Sequence, residues 1–340
     1  MKSVWVTRHG DSRVLEVREE ADPEPAPGEV RVRSRASGIN FADISARQGL
    51  YPDAPKPPCV LGYEGAGVID AVGEGVDAGR IGERVMYLSR FKGQADAVCV
   101  DSLQAVKMPD KMTFEHAAAL PVNYLTAFHM LFRVARIRPG EHVFVHMAAG
   151  GVGTAVLQLC RTVPGVVTYG TVSAKKHAYA REQGCDHPID YKSVDYVEEV
   201  LRITGGRGVN VVLDPLGGKD TKKGYAILRP TGMIIAFGLA NVHSGSKRSL
   251  LRASLVMLSV PRFSAYKMLG ENKAVAGVNI GRLFGERELL AEELTELLAL
   301  YEEGAIVPQV HEVFPFSRCG EAYEAIELGK NQGKVLLRPD

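Results

Sequence analysis

Cysteine, excess charge and long apolar runs are all scarce in this sequence, and each scarcity removes a class of protein. The five cysteines, Cys59, Cys99, Cys160, Cys185 and Cys319, are odd in number and never close together. They suit neither a disulfide framework nor a zinc knuckle, so a reducing compartment is expected. Lys and Arg number 41 against 40 Asp and Glu, a formal net charge of +1. No long-range field recruits a polyanion, which argues against a nucleic-acid partner. The stretch MKSVWVTRHG has no apolar run after its lysine, and Leu255 to Val260 is far shorter than a bilayer crossing. No integral membrane segment is expected, and the cytoplasm is the expected location.

What is present is an ordinary globular composition, 46% hydrophobic and 24% charged, in 340 residues. One hydrophobic core stops growing at roughly 250 to 300 residues, so two domains are expected. From Met1 to about Asn123 short strands are split by turn residues, and Glu29-Val30-Arg31-Val32-Arg33 alternates with the period of a half-buried strand. This region reads as a mainly antiparallel β-domain.

From about Ala127 apolar, β-branched runs alternate with helix-length amphipathic segments, the mark of βαβ units and a doubly wound parallel sheet. Six strands are expected: His142 to His146, Val166 to Thr171, His187 to Tyr191, Val209 to Asp214, Met233 to Gly238 and Ala274 to Ile280. Helices are expected near Thr154 to Thr162, Lys175 to Gln183, Asp195 to Ile203 and Thr221 to Leu228. A helix over Glu286 to Glu303, a strand Pro308 to Val313, a helix near Gly320 to Gly329 and a strand Lys334 to Leu337 form a tail too short to fold alone. It is expected to return to the N-terminal domain and close the cleft. The expected domains are therefore 1–122 with 283–340, and 123–282.

His142 to Leu157 runs strand, glycine turn, helix, with Ala149-Gly150-Gly151-Val152-Gly153 at the turn. Glycines let the backbone approach a pyrophosphate, and a helix N-terminus supplies free N–H groups and a positive dipole end. Any tight strand-to-helix turn favours glycine, so the placement among six alternating strands is what makes this a nucleotide site. At the end of the next strand, where NAD sites place an acid on the ribose, the sequence is Thr171-Val172-Ser173-Ala174-Lys175-Lys176. No carboxylate is available, while Ser173, Lys175 and Lys176 suit a 2′-phosphate; the alternative is that the lysines simply begin a solvated helix. NADPH is the expected cofactor.

Gly38-Ile39-Asn40-Phe41-Ala42-Asp43, Arg47-Gln48-Gly49-Leu50-Tyr51, Gly62-Tyr63-Glu64-Gly65-Ala66-Gly67, Ala71-Val72-Gly73-Glu74-Gly75-Val76 and the glycine turn together resemble the medium-chain dehydrogenase/reductase superfamily. Pro121-Val122-Asn123-Tyr124 and Asp214-Pro215-Leu216-Gly217-Gly218 bring the chain nearest its zinc-free quinone oxidoreductase branch and the vesicle amine transport protein homologue group. The resemblance implies a Rossmann six-stranded domain and a GroES-like β-domain, and a homodimer joined through Ala274 to Ile280.

Zinc dehydrogenases of that superfamily carry cysteine and histidine where this chain has Asn40 and Tyr63, so no metal is expected; Glu64 by itself would not hold zinc. Without a Lewis acid, hydride addition suits a conjugated acceptor, whose charge spreads over an enolate or phenolate. The substrate expected from the resemblance is a quinone or an α,β-unsaturated carbonyl.

By the same resemblance, cofactor contacts fall to Thr126, Gly150, Gly151, Val152, Gly153, Ser173, Lys176, Tyr191, Asp214, Gly217, Phe237, Gly238 and Lys334. Asn40 is expected to bond the nicotinamide ribose or the substrate carbonyl, or else to form a turn, and Tyr51 to donate to the carbonyl or to pack. Many quinone reductases have tyrosine where this chain has Ser45, and Tyr63 or Tyr124 is either a replacement aromatic wall or core. His146 is expected to pack. The competing function is a nucleotide-binding regulatory or membrane-trafficking protein on the same fold, since fold does not fix function. Pocket walls are expected from Leu239 to Leu269.

Overall fold

In the computed structural model, which describes residues 1–243, 245 and 249–340, the chain divides into two units, Met1–Leu125 with Gly245 and Ile280–Asp340, and residues 126–243 with 249–279. Positions 244 and 246–248, inside the stretch expected to wall a pocket, lie outside the described residues.

The first unit opens with β1 (Lys2–Val6), β2 (Leu15–Glu19) and β3 (Glu29–Ile39). In β3 the alternation seen in sequence becomes two faces: Val30 and Val32 are fully buried, while Arg31 and Arg33 reach Asp70 at 2.8 and 2.5 Å. α1 (Phe41–Arg47) starts immediately after Asn40, because Asp43 Oδ2 accepts the Asn40 amide at 2.8 Å and satisfies a donor at the helix start. Then come β4 (Cys59–Val60), β5 (Glu64–Val72), β6 (Arg84–Leu88), β7 (Ala97–Asp101) and β8 (Ala105–Lys107), followed by α2 (Phe114–Ala119) and α3 (Pro121–Phe128).

The second unit alternates strictly: β9 (His142–Val145), α4 (Gly151–Cys160), β10 (Val167–Thr171), α5 (His177–Glu182), β11 (His187–Ile189), α6 (Tyr196–Ile203), β12 (Val209–Asp214), α7 (Lys219–Ala226) and β13 (Leu228–Ala236). α8 (Leu250–Ser259) and α9 (Ala265–Glu271) precede β14 (Ala274–Gly277). All six strands are parallel, in the order β11-β10-β9-β12-β13-β14, as expected of a doubly wound sheet. Pro188 sits in β11, an edge strand, where its missing N–H costs no ladder bond. β13 begins at Leu228, not Met233, because the turn-like Pro230-Thr231-Gly232 is absorbed as an irregularity in the pairing with β12, with Thr231 at φ 71°.

α10 (Arg287–Glu302), β15 (Val310–Pro315), α11 (Cys319–Glu327) and β16 (Lys334–Arg338) belong to the first unit. β16 pairs antiparallel with β3, Leu336 opposite Gly38, and completes a sheet ordered β15-β16-β3-β5-β6-β8 with β7 also on β3. Val4, Ile44, Phe316, Tyr323 and Leu337 form a core there, drawn from both ends of the sequence. This pairing sets Lys334 beside the end of β3. Among the described residues no helix is long and apolar enough to cross a membrane.

Candidate functional site

Parallel strands place their C-terminal ends on one edge of the second unit, and the strand order reverses between β9 and β12. Ligands of open α/β sheets bind at such a reversal. Just after β9, Met147 is left-handed at φ 56°, and its carbonyl accepts the Gly150 amide at 2.8 Å. Gly150 caps α4, whose first turn is Gly151, Val152 and Gly153. A Cβ on Gly153 would lie 2.4 Å from the Met147 oxygen and 2.7 Å from Ala148 Cα. Glycine alone lets the helix start sit directly on the turn, and the first N–H groups of a helix have no intrahelical acceptor. With the helix dipole, they suit an anion.

After β10, Ser173 is half-buried, Lys175 is exposed and Lys176 is half-buried, its pKa lowered by desolvation. Tyr191, which follows β11, is exposed. The donors at this strand end are hydroxyl and ammonium groups, with no acid to accept from a ribose hydroxyl.

Asp214, expected among the cofactor contacts, is fully buried and holds the next turn together. Its Oδ1 accepts the amides of Leu216 and Gly217 at 2.8 and 3.1 Å, and its Oδ2 accepts the Thr221 hydroxyl at 2.6 Å. It shapes the loop that carries Gly217, left-handed at φ 72°. Phe237 donates its amide to the Asp214 carbonyl at 2.9 Å, so the Phe237-Gly238 segment is tied to the same turn. Thr126 is buried in α3. His146 is buried too, edge-on to Phe144 and Tyr196 at 4.8 Å each, and burial pushes its pKa down to about 4. It packs, as its position at the strand end suggested.

The first unit holds a separate, buried polar network. Lys334 Nζ donates to Asn40 Oδ1 at 2.6 Å and to Glu64 Oε1. Asn40 Nδ2 donates to that same Glu64 oxygen at 2.8 Å, while Glu64 Oε2 accepts the Val122 amide at 2.6 Å. Asp43 receives the Asn40 amide on one oxygen and the Gly62 amide on the other, the latter at 2.9 Å. Burial pushes the Asp43 carboxyl up to about 7, against the two amides and Lys334, which act to lower it. A Cβ on Gly38 would lie 2.6 Å from both Glu64 Oε1 and Lys334 Cε, so glycine at that point of β3 leaves room for the ion pair.

These donors do not fit zinc. Asn40 and Tyr63 offer neither thiolate nor imidazole, and the Glu64 carboxylate is already bonded by Lys334, Asn40 and Val122. Among the described residues no group of three or more His, Cys, Asp or Glu is placed to hold a metal. Asn40 is less available than the sequence suggested: its oxygen is held by Lys334 and one of its amide hydrogens by Glu64. Ser45 donates its hydroxyl to the Phe41 carbonyl at 3.1 Å along its own helix. Tyr51 packs partly against Val6, Val14, Ala46 and Leu61, and Tyr124 is core. Tyr63 is buried against Phe91 and Phe284. The roles of Glu64 and Asp43 were missed in sequence; the available signal was Asp43 just after Asn40 and Glu64 directly after Tyr63, which gains meaning only once β16 lies beside β3.

Comparison with known proteins agrees with this geometry. Residues 26–110 match the alcohol dehydrogenase GroES-like domain family, and residues 183–337 match the zinc-binding dehydrogenase family. The synaptic vesicle membrane protein VAT-1 homolog of Rattus norvegicus is 48% identical over 329 residues, covering 97% of this chain and 81% of that protein. A quinone oxidoreductase of Pseudomonas aeruginosa is 34% identical over 340 residues, covering 99% of each. The solved structure of Escherichia coli quinone oxidoreductase complexed with NADPH is 31% identical, with a TM-score of 0.88 over 100% of both chains.

Proposed function

Since the chain belongs to the medium-chain dehydrogenase/reductase superfamily, close to the VAT-1 homologues and with quinone oxidoreductase relatives, we propose that it is an NADPH-dependent, zinc-independent reductase of quinones or α,β-unsaturated carbonyls. The observation that carries this reading is the β9–α4 glycine turn followed by a β10 end that bears Ser173 and Lys176 and no acid. NADPH, which the related Escherichia coli enzyme holds, would supply the hydride.

Each expected residue then has a part. Gly150, Gly151, Val152 and Gly153 bind the pyrophosphate, and Ser173 and Lys176 bind the 2′-phosphate. Tyr191 lies against the adenosine end, while Gly217, Phe237 and Gly238, held in shape by Asp214, hold the remainder. Thr126 and Lys334 contribute further cofactor contacts. Asn40 and Tyr51 donate hydrogen bonds toward the acceptor carbonyl, Asn40 through the one amide hydrogen left outside its network. Donors of this kind stabilise a delocalised enolate or phenolate without a Lewis acid. The reductase is further proposed to be cytoplasmic and homodimeric along the β14 edge.

The test is oxidation of NADPH and of NADH against a panel of quinones and enones. Turnover with NADPH preferred is expected, and no turnover with any acceptor would sink the reading. A second reading is favoured by one observation, the vesicle-membrane name of the rat relative: a nucleotide-binding protein of membrane trafficking with little turnover. Liposome flotation beside an NADPH titration of the same preparation separates the two.

A further inference from the structure

Tyr63 is 4% exposed, and its ring is held by two others. The Phe91 centroid lies 5.1 Å away at 50° between planes, and the Phe284 centroid 6.2 Å away at 21°. Phe91 and Lys92 are consecutive non-glycine residues with positive φ, 68° and 62°. Such backbone is costly and persists where its surroundings over-determine it, as at ligand sites. Here the surroundings are a clamp: Lys92, Gly93 and Gln94 donate their amides to the carbonyls of Val60, Gly62 and Leu61 at 3.1, 3.2 and 2.9 Å, and Ser89 donates to the Tyr63 carbonyl at 2.9 Å. The loop is thereby stitched to the segment between β4 and β5 that carries Tyr63, and Phe91 is fixed on its ring.

Among the described residues the buried Tyr63 hydroxyl has no hydrogen-bond partner. Buried phenols usually find one. Two others in the same unit do: Tyr87 donates to Ser34 Oγ and Tyr323 to Gln94 Oε1, each at 2.9 Å. Burial raises the Tyr63 pKa far above that of an ordinary phenol, and Asp43, Asp53 and the neighbouring Tyr51 hydroxyl, which favours Tyr63 as a donor without reaching hydrogen-bond geometry, raise it further, so the group stays protonated. A protonated hydroxyl with no acceptor at hydrogen-bond geometry, in an aromatic wall locked by a strained loop and with the Tyr51 hydroxyl as its polar neighbour, is matched to an acceptor brought by a ligand.

We propose that the Tyr63 hydroxyl donates a hydrogen bond to the carbonyl oxygen of the acceptor, in a subsite walled by Phe91 and Phe284 that selects planar conjugated carbonyls. This rests on the hydride-transfer reading above. The acceptor gains a hydride at its β-carbon, the electron pair moves to the carbonyl oxygen as an enolate, and a proton from water completes the saturated carbonyl. Tyr63 keeps its own proton throughout, and the dinucleotide, as two-electron donor, ends oxidised.

The test is Y63F, which removes one oxygen, read in two ways: steady-state reduction of a quinone and an enone, and the absorption of 4-(dimethylamino)cinnamaldehyde, whose conjugated carbonyl shifts to the red when hydrogen-bonded. Wild type is expected to shift the probe; Y63F is expected to lose most of that shift and to lower kcat/KM about 10-fold or more. NADPH affinity should be unchanged, and Tm equal or higher, since an unpaired buried hydroxyl is gone. A purely structural tyrosine would not separate stability from activity in this way. F91L, which loosens the wall but keeps the hydroxyl, should raise KM for the acceptors with kcat nearly unchanged, and stands as the second variant. No probe shift in wild type, or wild-type shift and kcat/KM in Y63F, overturns the proposal. A shift in wild type without turnover leaves the Tyr63 assignment standing and sinks the hydride-transfer reading instead.

Discussion

Lys334 Nζ donates to Asn40 Oδ1 at 2.6 Å, joining residues 294 positions apart in sequence and fixing both against Glu64. Both ion-pair partners are almost wholly buried, Lys334 at 3% and Glu64 at 0% exposure. Lys334→Ala would leave the Glu64 carboxylate buried without its cation, and a loss of about 3–5 kcal/mol is expected by urea denaturation. Replacing both, as Lys334→Met with Glu64→Gln, should recover most of that loss. If the double variant is as unstable as the single one, the pair is not the source.

The Gly153 contact gives a sharper test of the cofactor turn. Gly153→Ala places a Cβ 2.4 Å from the Met147 oxygen, and backbone must move to admit it. Overpacking of this kind costs about 1–3 kcal/mol. NADPH affinity, followed by the fluorescence of the bound cofactor, should fall with it. Unchanged affinity would move the nucleotide site elsewhere.

Lys176, half-buried beyond β10, is the residue expected to separate the two nicotinamide cofactors. A hydrogen bond to a charged group contributes about 1.5–3 kcal/mol, so Lys176→Ala should weaken NADPH binding about 10- to 100-fold and leave NADH almost unaffected. Equal loss for both cofactors would remove Lys176 from the 2′-phosphate site.

Two buried groups act in opposite directions on stability between pH 4 and 7. His146, lowered from 6.5 to about 4 by burial, takes up its proton more readily when unfolded. Its neutral, packed form therefore stabilises the fold in full above pH 6.5, and that contribution is lost as pH falls through 4. The Asp214 and Asp220 charges temper that shift, and Lys223 adds to it. Asp43, raised from 3.8 to about 7, does the reverse: its contribution is complete below about pH 4 and is lost as pH rises through 7. Asp43→Asn should make stability climb more steeply from pH 4 to 6.5 than in wild type, and His146→Asn should make it fall across that range. Parallel profiles from chemical denaturation at stepped pH would contradict both.

The second unit was legible because its information is local. A strand, a glycine turn and a helix lie within 20 residues, His142 to Cys160, and the acid-free end of β10 follows directly. Element boundaries were less legible where pairing overrides turn chemistry, as at Thr231, whose left-handed backbone lies within β13 instead of ending it.

The first unit was legible as β-structure, but its site chemistry was not. Alternation around Val30 and Val32 marks a strand without saying that β16, from the far end of the chain, lies against it. Asn40 therefore read as available, and only the pairing of Leu336 with Gly38 brings Lys334 in to occupy it. Tyr63 likewise read as wall or core; whether its hydroxyl is paired depends on what a distant loop and Phe284 surround it with. By itself the sequence determined the dinucleotide fold, its glycine turn and the absence of zinc-type ligands at Asn40 and Tyr63, because residue identity and short-range spacing suffice for those. Only the tertiary structure decided which polar groups are engaged and which are left over, because a hydrogen bond is made or missed over tenths of an ångström between residues that the chain order keeps far apart.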